Sequence, residues 1–455
     1  MLLNKLKGFP GKGSFPHGIH PPERKTFSQD ATIEVMPTPE RVVLPLLQNI
    51  GAPCEPIVKA KQEVAFGELI ATSKAPVSAK LHSPINGVIE KIGVCTLANG
   101  RHLQAIYVKA NGEQIEGQAL YEDVLGGQWP KDCPAIYYQA TIANAILEAG
   151  IVGLGGAAFP THVKIRPYNR KWIDTLMING CECEPYLTTD YRMMVEAPAA
   201  VVSGAIYAAR AVAAQEVIIC IEDNKPEAVK RIQAAAEGTV LKVVVLKTKY
   251  PQGSEKQLIK AALDLEVPLG GLPADVGVVV SNVATVAAIA RAVIREKPLT
   301  HRVISITGAG ITIPKNLLVP IGISIKSLID YCGGLTKDAA RLVSGGPMMG
   351  FAFSNMDTPV TKGTSGITIL THDDLRRDEE TNCVRCGRCV DVCPMQLVPT
   401  KLAMASRFGK LSLAQQYNIM ACFECGCCTY ICPAQIQLVQ LIRMGKVMVV
   451  AGKRN

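Results

Sequence analysis

CVRCGRCVDVCP, residues 383–394, returns as CFECGCCTYICP, residues 422–433. Each stretch spaces three cysteines by two residues and sets a fourth, followed by proline, a turn later. Two-residue gaps let a tight loop wrap three corners of a cubane. The fourth cysteine starts a helix that points away, so it ligates the neighbouring cluster. One [4Fe–4S] cluster is thereby assigned Cys383, Cys386, Cys389 and Cys432, and the other Cys422, Cys425, Cys428 and Cys393. Pro394 and Pro433 end the loops and fix their direction. Zinc sites use pairs of Cys-x2-Cys, not triplets with a fourth cysteine and proline. Cys427 falls outside the pattern and reads as a packed thiol beside the cluster. The segment between the motifs, LVPTKLAMASRFGKLSLAQQYN, reads as helix-turn-helix. These features define an α-helical two-cluster domain over 373–455, entered through the charged linker DDLRRDEE.

Outward from this domain, the chain is long. Its 455 residues suggest about three domains at ~150 residues each. Apolar residues make up 48%, enough for several cores, while 39 glycines and 29 prolines favour a loop-rich α/β chain over a helical bundle. Nine of the sixteen cysteines lie between Cys383 and Cys432. Residues 1–10 are too short and charged for a signal peptide, so grouped cysteines point to metal in a reducing compartment. No apolar run reaches the ~20 residues of a membrane span, which makes any membrane role peripheral. The net charge of +9 suits an acidic partner, an anionic nucleotide or an anionic membrane face, or simply an ordinary soluble surface. It does not argue for nucleic acid.

Residues 1–30 are rich in Pro, Gly and His (FPGKGSFPHGIHPPERK) and read as an extended arm rather than a folded unit. From 31 to 133, short apolar runs between turns (EPIVKAKQEV, GELIAT, AKLHSPINGVIEKI, LQAIYVKA) read as a small all-β unit. Between 134 and 296, helical stretches alternate with β-branched runs such as EVIICIED, LKVVVLKT and DVGVVVSN. That alternation predicts β-α units around a mostly parallel, Rossmann-like sheet. Residues 297–372 return to short strands, with one helix at Ser324–Cys332, and read as a β-grasp-type ligand-binding module. The whole is multidomain, α/β and α+β.

The candidate cofactor loop is Gly153-Leu154-Gly155-Gly156-Ala157-Ala158-Phe159-Pro160-Thr161, with Lys164 following. Glycines let backbone N–H groups approach a phosphate, and Lys164 supplies a counter-charge. A plain turn before a helix is the alternative. His17, His20 and His82 lie on loops without metal-ligand spacing and are read as structural or surface residues. Cys181 and Cys183 form a lone Cys-x-Cys, a weak metal signal. Arg385, Arg388, Lys401, Arg407 and Lys410 form either a basic rim for a partner or a solvated face. The apolar stretch 436–450, with Arg443 and Lys446, reads as a helix over the cluster domain, with packing on a membrane partner as the alternative.

Several of these segments resemble known families. Ser83–Val88 (SPINGV) is similar to the barrel-sandwich fold of biotinyl and lipoyl domains. There the modified lysine sits eight residues before the matching proline. Pro76 holds that place here and Lys74 is out of register, so the unit is read as structural. GGAAFPTHVK and Asn179-Gly180-Cys181-Glu182-Cys183-Glu184-Pro185 resemble the flavoprotein subunit of respiratory complex I, with its GAGFPTG and NADEGEP segments. That resemblance implies FMN phosphate on the loop, NADH stacked on the flavin, and Asn179, Glu182 and Glu184 near both. Tyr250–Glu255 (YPQGSE) and Ser281–Thr285 (SNVAT), with Asn282 and Thr285, match two further flavin-lining segments. Four positions depart from that family's pattern: Ala158 stands for glycine, Cys181 for aspartate, and Ser254 and Ala284 for glutamate.

End to end, with FPHGIHPPERK and INGCECEPYLTTDYRMM as its most specific segments, the chain resembles the RnfC subunits of Rnf complexes, membrane ion-translocating NAD–ferredoxin oxidoreductases. The resemblance implies partner Rnf subunits, ferredoxin at the far end, and a peripheral site on the cytoplasmic side of the bacterial inner membrane. An NAD(H)-binding subunit of a soluble hydrogenase or formate dehydrogenase remains a second reading. A flavin-free electron relay is a third. Anaerobically prepared protein is expected to contain about eight irons per chain by chemical analysis. Far fewer irons, or zinc in their place, would overturn the cubane assignment.

Overall fold

The computed structural model describes residues 9–166, 172–375 and 379–452. The beginning of the arm, 376–378 of the expected linker and the last three residues lie outside that description.

At the centre is a four-stranded parallel sheet in the order Leu241–Leu246, Glu216–Glu222, Thr175–Gly180, Val278–Asn282. Its strands are apolar on both faces because both faces are covered. Leu176, Ile178, Val217, Ile219 and Ile221 enter the larger core with the helices Pro198–Val212 and Val283–Ile294. Met177, Ile218, Cys220 and Val244 alternate with them and face the helix Glu255–Leu263. The chain runs outward from Thr175–Gly180 through Glu216–Glu222 to Leu241–Leu246, then returns to set Val278–Asn282 on the other side of Thr175–Gly180, so strand order reverses there. In open α/β sheets the crevice at such a switch point, at the carboxyl ends of the strands, is where ligands bind. Asn179, one residue before the end of its strand, and Asn282, at the end of the adjacent one, stand there in direct register.

The all-β unit comprises an antiparallel sheet ordered Arg41–Pro45, His102–Ala110, Gly87–Thr96, Glu63–Val64, with a second sheet of Glu55–Pro56, Leu69–Thr72 and Leu81–His82. The β-grasp module is built on six strands, from Ile33–Val35 at one edge to Phe351–Phe353 at the other, with the helix Ile325–Tyr331 capped by Ser324. Two contacts cross the expected domain boundaries. Ile33–Val35, assigned above to the barrel-sandwich unit, pairs in parallel with Lys315–Pro320 of the β-grasp sheet. Three residues are too few to fix a partner by pattern; an open sheet edge supplied one. At the other end of that unit, Asp123 and Trp129 lie beyond the barrel and dock on the flavin-type domain, through Arg291 and under Arg295.

The arm is extended, but it is bound along its length. Gly11 and Gly13 donate to Ala262 and Ala261, and Ile19 forms a two-bond bridge with Tyr250. Gly18 N–H donates to Val392 O, and His17 Nδ1 meets Asp391 O at 2.7 Å, both on the cluster domain. His20 is exposed, whereas His82 is buried, and burial with Lys362 and Lys80 nearby pushes its imidazole down to about 3. The expected helix-turn-helix is Pro399–Arg407 and Leu411–Gln416, and Leu438–Gly452 packs across it. Among the described residues no single helix is long and apolar enough to cross a membrane. Thr189–Glu196 and Pro198–Val212 approach that length only as a pair bent by 96°.

One buried lysine joins three parts of the chain. Lys362 of the β-grasp module donates to Lys80 O of the barrel and to Gly150 O before the glycine loop, both at 2.6 Å. Its own N–H donates to Gln48. Burial lowers its ammonium to about 7 from 10.5. Between those values the unfolded chain holds a proton the folded chain lacks, so this group makes stability rise with pH from about 7 to about 10, and adds no pH dependence below 7. Lys362→Met is expected to lose that rise in melting temperature. It should also cost roughly 1–3 kcal/mol for each stranded carbonyl.

Candidate flavin and iron–sulfur site

The glycine loop leaves strand-like pairing at Val152 and returns to it at Pro160, with Gly153 N–H donating to Phe159 O at 2.9 Å. Gly155, Gly156 and Ala157 are exposed at its tip. Leu154 N–H donates to Thr285 Oγ1 at 2.9 Å, which pins the loop to the start of the helix Val283–Ile294. Asn282 caps that helix, accepting from Ala284 N–H at 2.9 Å, and its amide donates to Asp190 at 2.7 Å. A methyl on Gly155 would lie 2.9 Å from that amide nitrogen, so glycine is needed by the close approach. Ala158, where the related loop has glycine, holds φ at 51°. This is left-handed backbone that an L-residue tolerates at a cost.

The NGCECEP segment follows the central strand. The Asn179 amide donates to Gly253 O at 2.8 Å and its carbonyl oxygen accepts from Cys181 N–H. Glu182 accepts from the Asp190 and Tyr191 amides at the start of the helix Thr189–Glu196. The buried Lys25 of the arm lies 4.0 Å from Glu182 and donates to the carbonyls of Glu184 and Leu187. Burial holds the Lys25 ammonium below its ordinary value. Asp190 was not singled out from the sequence. It lines the cleft, and burial, with Glu182 nearby, raises its carboxyl to about 7. Glu184 reaches the other way. It accepts from Met348 N–H at 2.7 Å and from the Tyr250 hydroxyl at 3.3 Å. Burial raises its carboxyl above the usual range. Tyr250 also donates to Cys425 O at 2.6 Å, inside the second cysteine motif. Lys164 is ion-paired to Glu255. Cys181 faces the core beside Cys220 O, and Cys183 Sγ accepts from Gly253 N–H. The two thiols thus serve separate packing contacts.

These groups line one cleft of about 1430 Å³ that runs from the glycine loop past Asn179, Glu182, Glu184, Asn282 and Thr285 to Phe423 and Glu424 of the second motif. Phe159 and Lys164 lie in the same wall. Arg443 and Lys446, on the C-terminal helix, both pair with Glu424 at that end. The helix therefore covers the cluster domain, as the first of its two readings held.

Most cysteines of the two motifs lie near one another, within a motif and across to the other. Cys389 lies close enough to Cys386 and Cys432 for their charges to interact. Cys393 is likewise near Cys425, and Cys422 near both Cys425 and Cys393. Cys428 is near Cys425, Cys422 and Cys393, and also near Cys389 of the first motif. Cys383 and Cys386 stand on a wholly exposed stretch, 381–388, while the second motif is largely buried. Among the described residues no three His, Cys, Asp or Glu side chains gather at single-ion spacing. A cubane spreads its four thiolates around an Fe₄S₄ core, so the donor set fits that larger group. Amide donors to sulfur, Leu397 N–H to Cys393 and Glu424 N–H to Cys422 at 3.4 Å, are of the kind that tune such clusters. Cys427 is buried with Ile19, Tyr250 and Cys183, as a packed thiol. Of the basic residues, Arg407 pairs with Glu380, while Arg385, Arg388, Lys401 and Lys410 are exposed.

A switch-point cleft with a glycine loop, abutting a paired cysteine motif of dicluster type, defines an iron–sulfur flavoprotein of electron transfer. Residues 146–291 match the family model for the Nuo51 FMN-binding domain and 13–113 that for the RnfC barrel sandwich hybrid domain. Residues 303–352 match the SLBB domain and 382–436 the 4Fe-4S dicluster domain. The chain is 45% identical to the RnfC-type subunit of the proton-translocating ferredoxin:NAD(+) oxidoreductase complex of Clostridium ljungdahlii, over 94% of this chain and 93% of that one. It is 40% identical to the counterpart in the Na(+)-translocating complex of Acetobacterium woodii, over 97% and 98%. It is 41% identical to the counterpart in the ion-translocating oxidoreductase complex of Rhodobacter capsulatus, over 98% and 84%. The chain belongs to this RnfC family. Gly155→Ala is expected to push Asn282 off Asp190 and lower copurified flavin severalfold, with iron held at about eight per chain; absorbance and iron assay read the two separately.

Proposed function

We propose that this chain is the electron-input subunit of a membrane-associated, ion-translocating NADH:ferredoxin oxidoreductase, docked peripherally on the cytoplasmic face of the bacterial inner membrane. Its partners are the other subunits of the complex, with ferredoxin reached directly or through one of them, and NADH. Nucleic acid has no part. The single observation that carries the reading is the unbroken cleft from the glycine loop to Phe423 and Glu424.

Bound flavin exchanges a hydride for single electrons, and each cubane carries one electron at a time. Gly153, Gly155, Gly156 and Ala157 would present backbone to the flavin phosphate, with Lys164 as counter-charge once it turns from Glu255. Phe159 would offer a ring face to the bound rings. Asn179, Glu182, Asn282 and Thr285 act mainly by holding the cleft in shape, because most of their polar atoms are already engaged. Glu184 and Tyr250 fix the cleft against the Cys425 loop. The cubane of Cys422, Cys425, Cys428 and Cys393 therefore lies on the flavin side. The cubane of Cys383, Cys386, Cys389 and Cys432 lies on the solvent side, where a partner can approach it.

Anaerobic titration with NADH tests this. The flavin band should bleach, and cubane signals should appear by electron paramagnetic resonance. If dithionite reduces the clusters while NADH bleaches neither centre, the chain is a flavin-free relay.

A further inference from the structure

The barrel-sandwich unit has no part in the electron path, and its hairpin tip bears Pro76 in place of a carrier lysine. That tip is turned inward. His162 Nε2, in the short helix after the glycine loop, meets Pro76 O at 3.3 Å. Ile50 N–H donates to Ala158 O in the loop itself at 3.2 Å. Two stretches of the unit, 47–50 and 97–101, line the same cleft as the flavin residues. That cleft, at about 1430 Å³, exceeds the ~300–1,000 Å³ of an ordinary one-ligand pocket. It has room for a second ligand beside a flavin.

Two buried polar atoms in this outer wall have no partner among the described residues. Gln48 is only 5% exposed, and its Nε2 has no partner, although its Oε1 accepts from Lys362 N–H. Asn49 Oδ1 is likewise buried and unpaired. Buried polar atoms are normally satisfied, and exceptions call for a cause such as a ligand. Arg101 stands at the rim with no acidic partner among the described residues. The wall thus offers a buried amide donor, a buried carbonyl acceptor and a free guanidinium, which suits a phosphate-bearing ligand with hydrogen-bonding edges.

We propose that stretches 47–50 and 97–101 of the barrel-sandwich unit form the adenosine-diphosphate half of the dinucleotide site. Arg101 meets the pyrophosphate, and Gln48 and Asn49 meet the ribose and base edges. The nicotinamide half then lies over the flavin between this wall and the sheet. This rests on NADH being the reductant, and it gives the barrel a binding role that the flavin domain alone does not fill.

The test compares NADH with reduced nicotinamide mononucleotide, which lacks the adenosine phosphate, in anaerobic flavin reduction. Arg101→Ala should raise the NADH concentration for half-maximal rate about tenfold, as expected for one charge-assisted hydrogen bond. It should leave the maximal rate and the response to the mononucleotide as in the unaltered chain. Gln48→Leu, checked for flavin and iron content, should act in the same direction. If both variants use NADH as the unaltered chain does, the inference fails alone. If the unaltered chain oxidises neither nucleotide, the function proposed above fails, and this inference with it.

Discussion

The Tyr250 hydroxyl, set between the Glu184 carboxylate and the Cys425 carbonyl, is the contact on which the working arrangement depends. It joins the segment after the central strand to the loop that wraps the buried cubane. Electron transfer needs short, fixed separations, and neither domain alone can set them. Gly346 packs so close to Glu184 that a methyl there would lie 2.1 Å from Glu184 Cγ, and Gly426 sits against Met348 O. The β-grasp loop is thus wedged between flavin cleft and cluster loop, leaving little room for either to drift.

Buried charge keeps the other parts in place. Lys25 reaches from the arm into the carbonyls of the NGCECEP turn, and Lys362 reaches from the β-grasp module into the barrel and the loop before the glycines. Each is costly to bury, and each satisfies carbonyls that would otherwise be stranded. Such contacts favour one arrangement of domains over alternatives of similar apolar burial, because a shifted arrangement would leave both the ammonium and its carbonyls unpaired.

The two cubane loops differ in exposure. The second motif is enclosed by Tyr250, Cys183 and the arm, and the first lies open along 381–388. This asymmetry sets the second motif against the cleft and leaves the first on an open edge.

The sequence by itself determined the chemistry: thiolate spacing, the glycine loop and the alternation of apolar runs are local rules, readable wherever they occur. Asn179 and Asn282 were singled out only through the resemblance of their segments to a known flavoprotein. The sequence left Asp190, Lys25 and Lys362 without roles, since a charged residue carries no local mark of being buried against a distant carbonyl. The edge strand Ile33–Val35 and the inward-turned tip at Pro76 were equally illegible. Only the tertiary structure decided which cysteine motif lies against the cleft and what the arm and barrel hold together, because those facts depend on contacts between residues hundreds of positions apart, for which spacing along the chain carries no energy.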